Sequence, residues 1–101
     1  MIVEFSIIPL DKGEKLSPDI AKIIDIVDRS GFDYSINSMG TVIEGDLDDV
    51  IDLIKKCHLT MRKDSKRVIT TIKIDDREGA KGAIRDKVKS VEKILGRELK
   101  K

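Results

Sequence analysis

Apolar residues recur along the chain with two periods, and the switches between them mark out its elements. Residues 2–9, IVEFSIIP, are apolar and β-branched with polar interruptions at Glu4 and Ser6, which predicts a strand. Pro9 and the DKGEK that follows close it as a loop. Ser17 and Pro18 predict a helix start, because a serine side chain caps free first-turn amides and proline fits the first helical position. Ile20, Ile23, Ile24 and Val27 then fall on one helical face, with Lys22, Asp25, Asp28 and Arg29 outward, and Gly31 supplies the stop near Ser30.

FDYSIN and TVIEG are two short strand-like runs joined through Ser38, Met39 and Gly40, which reads as a hairpin. Asp46 is placed to cap a second helix, whose first turn is acidic as the helix dipole favours. Its apolar face is Leu47, Val50, Ile51, Ile54, Cys57 and Met61. After the basic turn RKDSKR comes VITTIKI, the clearest strand of the sequence. The turn DDREG leads to a third helix with Ile84, Val88, Val91 and Leu95 on a narrow stripe and Gly96 beyond its end. The order β-α-β-β-α-β plus an extra C-terminal helix predicts an α+β, ferredoxin-like fold: an antiparallel sheet with two helices on one face, in a single domain over residues 1–101.

Two crossover helices cover only one side of a four-stranded sheet. Strand parity assigns Val3, Phe5 and Ile7, with Val68, Thr70, Ile72 and Ile74, to the covered side. Glu4, Ser6, Ile8, Val42, Glu44, Arg67, Ile69, Thr71 and Lys73 share the other. That second surface is too apolar for bulk solvent and too charged for a simple core, which fits an oligomer interface or a ligand pocket. Alternatively, the third helix covers its apolar positions and the charges form a solvated rim.

Composition narrows the functional classes. The 101 residues are 40% hydrophobic and 39% charged, but 20 Lys and Arg nearly cancel 19 Asp and Glu, so no strongly basic surface invites nucleic acid. Aromatics are limited to Phe5, Phe32 and Tyr34. An RNA-recognition motif shares the element order but needs aromatics on its central strands for base stacking, and MGTVIEG has none. The Gly79–Gly82 segment matches a GxxG loop, but the elements around it are in the wrong order for a KH module. A single cysteine makes no internal disulfide and, with one histidine, no Cys/His metal cluster, so no metal or cofactor is expected. Cys57 and His58 are helix neighbours about 100° apart and form no nucleophile–base pair. Asp75 and Asp76 read as a solvated turn, and Arg62, Lys63, Lys66 and Arg67 as a helix-ending basic cluster. The N-terminus reads as a strand rather than a signal, and no apolar run has the roughly 20 residues of a membrane span, so a soluble, cytoplasmic, non-enzymatic protein is expected. Abundant Lys, Glu, Arg and Ile suit a thermophile.

MGTVIEG at 39–45, RVITTIKIDDR at 67–77 and DKVKSVEKIL at 86–95, with IIPL ending the first strand and LSP opening the first helix, resemble the small thiamine-binding protein family of archaea and bacteria. The resemblance implies a ferredoxin-like subunit that forms dimers and commonly tetramers and binds thiamine or its hydroxymethylpyrimidine part without catalysis. A cationic thiazolium and an aminopyrimidine call for a carboxylate, hydroxyls and an apolar wall. Glu44 is then the expected carboxylate, Ser6 and Thr71 the hydroxyls, and Ile8, Ile69 and Met39 the wall, with Asn37, Ser38 and Thr41 as further polar candidates. Arg67 and Lys73 share the face and offer Glu44 a cross-strand ion pair instead. The alternative function is an ACT-like regulatory module that binds an amino acid or other small effector between subunits.

Overall fold

A computed structural model describes residues 1–79 and 82–100. Ala80, Lys81 and Lys101 lie outside the described residues, and with them the middle of the GxxG stretch. The elements are β1 (Ile2–Pro9), α1 (Ser17–Arg29), β2 (Asp33–Asn37), β3 (Gly40–Glu44), α2 (Leu47–Asp64), β4 (Val68–Asp75) and α3 (Ala83–Leu95). The strands form one antiparallel sheet in the order β2-β3-β1-β4, the ferredoxin-like arrangement expected from the hydrophobic pattern.

Burial follows the predicted parity. Val3, Phe5 and Ile7 of β1 and Ile43 of β3 meet Ile23 and Val27 of α1 and Val50, Leu53, Ile54, Cys57 and Met61 of α2. Ile24, read as part of the inward stripe of α1, is only half-buried, and Leu53 replaces the exposed Leu47 on the inner face of α2. Gly31, at φ 83°, follows the last turn of α1 in the left-handed conformation that a side chain would disfavour. The Tyr34 hydroxyl donates to Asp28 Oδ1 at 2.6 Å and ties β2 to that helix.

Three details depart from the expectations. Ser17 lies within the first turn of α1, with Leu16 in the capping position, so its hydroxyl does not cap the helix. Asp46 does precede α2, but its side chain makes no capping hydrogen bond. Ile72 and Ile74 occupy the helix side of β4 yet remain 42% and 45% exposed, because β4 is the sheet edge and no described element seals its outer flank.

The extra helix does not seal the second sheet face. α3 packs against β3 and β2 at one end of the sheet, and none of its described side chains is buried. Ile8 and Ile69, at the other end, stay 43% and 45% exposed.

Candidate functional site

The two neighbours of β1 run along it for different lengths, and this difference creates a cavity. β4 pairs with β1 from Ile2 to Pro9, whereas β3 pairs only from Ile2 to Phe5. Beyond Phe5 no described strand pairs with the β3 side of β1. The Leu10 amide donates to the Arg67 carbonyl at 2.9 Å, so strand alternation turns the backbone groups of Ile8 and Ser6 toward β4 and those of Ile7 toward the β3 side. The notch beside Ile7 is closed by the β2–β3 turn and roofed by Leu16, Ile20 and Ile24 at the start of α1. Its volume is about 620 Å³, within the range of small-molecule sites.

The turn is shaped to reach β1. Asn37 Oδ1 accepts the Met39 amide at 2.7 Å, an Asx-type turn that leaves the Met39 side chain 85% exposed at the tip. Gly40 brings its backbone against β1: a Cβ there would lie 2.9 Å from the Phe5 carbonyl oxygen. Thr41, next along, is buried on the helix side, directly opposite Phe5.

Ser6, Ile8, Asn37, Ser38, Met39 and Thr41 all line this notch. Six of the residues singled out from the sequence are thereby brought together. The sequence reasoning missed Glu14, the one charged residue among the described lining, together with Ser17 and the roof on α1. Glu14 sits in the β1–α1 loop, and no local pattern shows where a loop folds back. Ile20 and Ile24 carried a signal, but one that read as core.

The loop bearing Glu14 is pinned from across the molecule. The Asp11 carboxylate accepts from the Ser65 hydroxyl and, at 2.8 Å, from the Lys66 amide. These bonds, the Ser65 hydroxyl foremost, hold the Asp11 carboxyl below the usual aspartate range.

The other expected residues lie elsewhere. Glu44 stands opposite Ile2 and Asp33, roughly 10 Å along β3 from Thr41 at strand spacing. There it lines a separate cavity of about 590 Å³ beneath α3 with Ile2, Asp75, Arg77, Lys87 and Val91, and Oε1 accepts the Ile84 amide at 3.5 Å. β1 lies between Glu44 and both Arg67 and Lys73. Thr71 and Ile69 are the direct cross-strand neighbours of Ser6 and Ile8, and Lys73 stands opposite Glu4. With Arg67, these residues form a strip on the open face that adjoins the notch without being among its described lining.

Cys57 is fully buried, and burial pushes its thiol up to about 11, far from a nucleophile's range. His58 Nδ1 lies 2.6 Å from Thr70 Oγ1, joining α2 to β4. Among the described residues no group of three or more His, Cys, Asp or Glu side chains is placed to hold a metal ion, and no helix is long and apolar enough to cross a membrane.

The fold and the notch define a small ferredoxin-like α+β unit with a preformed cavity at the open end of its hairpin. The chain belongs to the thiamine-binding protein family, whose sequence profile it matches over residues 3–92. It is 37% identical over 91 residues to a UPF0045 protein of Methanocaldococcus jannaschii, covering 90% of this chain and 91% of that one. A UPF0045 protein of Staphylococcus xylosus is 37% identical over 100 residues, covering 93% and 94%. Among solved structures, a hypothetical protein of Methanocaldococcus jannaschii superposes with a TM-score of 0.83 at 38% identity, over 89% of this chain and 93% of the other. A candidate thiamine biosynthesis/salvage protein of Thermotoga maritima shares the fold, with a TM-score of 0.79 at 22% identity over 89% and 96%.

Proposed function

We propose that this chain is a non-catalytic, cytoplasmic binding protein for thiamine or its hydroxymethylpyrimidine moiety, that the ligand occupies the notch between the hairpin tip and α1, and that the protein works as a dimer or tetramer. The observation that carries the reading is the stretch of β1 beside the cavity, with which no described strand pairs on the β3 side. A strand edge presents one amide donor and one carbonyl acceptor per outward-facing residue. The peptide groups of Ile7 are turned that way, and an aminopyrimidine carries the complementary acceptor and donor side by side. Ser6, Asn37 and Ser38 add neutral polar groups, Ile8, Ile20, Ile24 and Met39 an apolar wall, and Glu14 a negative charge for a thiazolium. Membership of the thiamine-binding family supports the ligand class. Exposed isoleucines on both faces of β4 and the unburied stripe of α3 support self-association.

Calorimetric titration with thiamine, hydroxymethylpyrimidine, thiamine pyrophosphate and a panel of amino acids tests the reading. Thiamine and hydroxymethylpyrimidine are expected to saturate one site per chain. Glu14→Gln is expected to weaken thiamine several-fold while leaving hydroxymethylpyrimidine nearly unchanged, since only thiamine brings a cation. Glu44→Gln is expected to leave both unchanged. Loss of binding in Glu44→Gln would move the site to the cavity beneath α3, and saturation by amino acids alone would favour an ACT-like effector module.

A further inference from the structure

We infer that Glu14 makes the notch selective for the unphosphorylated ligand. A phosphate ester of the same heterocycle, on the hydroxymethyl group of the pyrimidine or on the hydroxyl of thiamine, is turned away. The inference rests on the ligand class proposed above and adds the charge that the ligand's hydroxyl end must carry. Glu14 is exposed in the β1–α1 loop and lines the notch. Among the described residues it has no hydrogen-bond or ion-pair partner, so its negative charge is not neutralised before a ligand arrives.

The rest of the described lining offers a phosphate little in return. Its polar side chains are otherwise neutral, among them Ser6, Asn37 and Ser38, and a nearly doubly charged group taken out of water without a cation loses hydration that neutral donors do not restore. Lys12 and Lys15 in the same loop, and Arg67 and Lys73 beyond β1, stand outside that lining. One feature pulls the other way: the positive end of the α1 dipole lies at the roof. The helix blunts it from within, because Pro18 in the first turn has no N–H to give and Asp19 beside it brings a negative charge. A free hydroxyl meets none of this opposition. It is neutral, and it both gives and accepts hydrogen bonds. The carboxylate that attracts a thiazolium therefore repels a phosphate, which places the protein on the unphosphorylated side of any phosphoryl transfer to that hydroxyl.

Paired calorimetric titrations read the selectivity as a ratio of affinities, with hydroxymethylpyrimidine set against its phosphate ester and thiamine against thiamine monophosphate. In wild type at about 20 mM salt each ester is expected to bind at least about tenfold more weakly than its parent. Glu14→Gln is expected to narrow the pyrimidine ratio several-fold, and Glu14→Lys to abolish or invert it. Raising salt to about 0.5 M is expected to narrow the wild-type ratio as well, because an exposed carboxylate is screened, whereas a purely steric barrier to phosphate would not respond. Circular dichroism checks that each variant keeps the wild-type fold. Esters that bind wild type as tightly as their parents would overturn the selectivity while leaving the ligand class standing. A tenfold preference that survives in Glu14→Lys would overturn the assignment to Glu14. Absence of binding by both parent compounds would overturn the ligand class, and the selectivity with it.

Discussion

The two ends of the open sheet are furnished in opposite ways. At the hairpin end, the cavity walls grow out of the core: Phe5, Ile7, Ile23 and Thr41 are buried residues that also line the notch. At the other end, α3 is held by exposed charges, with Arg85 3.2 Å from Asp33 and Lys87 2.7 Å from Asp75, and it buries no described side chain. A wall continuous with the core keeps its shape without a ligand, which is what a binding site needs. A helix held by surface ion pairs gains little from each, because water and salt screen exposed charges.

The largest expected effect comes from cutting into the wall. Ile23→Ala removes a side chain that serves core and notch together and is expected to cost about 2–4 kcal/mol in urea unfolding. Next is Gly40→Val, whose added atoms meet the Phe5 carbonyl; about 1–3 kcal/mol of destabilisation is expected, with loss of ligand binding in calorimetry. Arg85→Ala, at the α3 end, is expected to cost less than about 1 kcal/mol, its pair with Asp33 being more than half exposed to solvent on average. Raising salt to about 1 M is expected to speed amide exchange in α3 while leaving α1 and α2 unchanged, since the screening length falls to about 3 Å. Comparable slowing or speeding in all three helices would remove the contrast.

The smallest expected effect is local. The Asp11 carboxyl is held below its unfolded value, so its contribution is complete above about pH 4 and is lost as the pH falls through the lowered native value. The β1–α1 loop is expected to loosen in that acid window before the core does, seen as exchange broadening of loop amides in NMR. Asp11→Asn is expected to loosen the same loop at neutral pH.

How far this was legible in the sequence depends on which interactions are local. The alternation in IVEFSIIP and VITTIKI and the helical spacing of Ile20, Ile23 and Val27 express burial that each element imposes on its own residues, and they marked out the sheet, the helices and the order. Parity also sorted the two sheet faces correctly, because it depends only on counting along a strand. Register does not. That β3 stops at Phe5 while β4 continues to Pro9 is a relation between strands, so the gap that makes the cavity was invisible, and Glu44 was grouped with Ser6 although the register sets them at opposite ends. Glu14 was illegible for a related reason: its position depends on Asp11 reaching Ser65 and Lys66, more than fifty residues away.

The central claim is that the hairpin end, and not the α3 end, takes the ligand. The most direct measurement is an NMR titration of isotopically labelled wild-type protein with hydroxymethylpyrimidine, following backbone amides. Saturable shifts are expected at Ser6, Ile7, Ile8, Gly40 and Thr41 and along the start of α1, with Glu44 and residues 84–91 unmoved. Shifts confined to Glu44 and α3, or none at millimolar ligand for both hydroxymethylpyrimidine and thiamine, would contradict it.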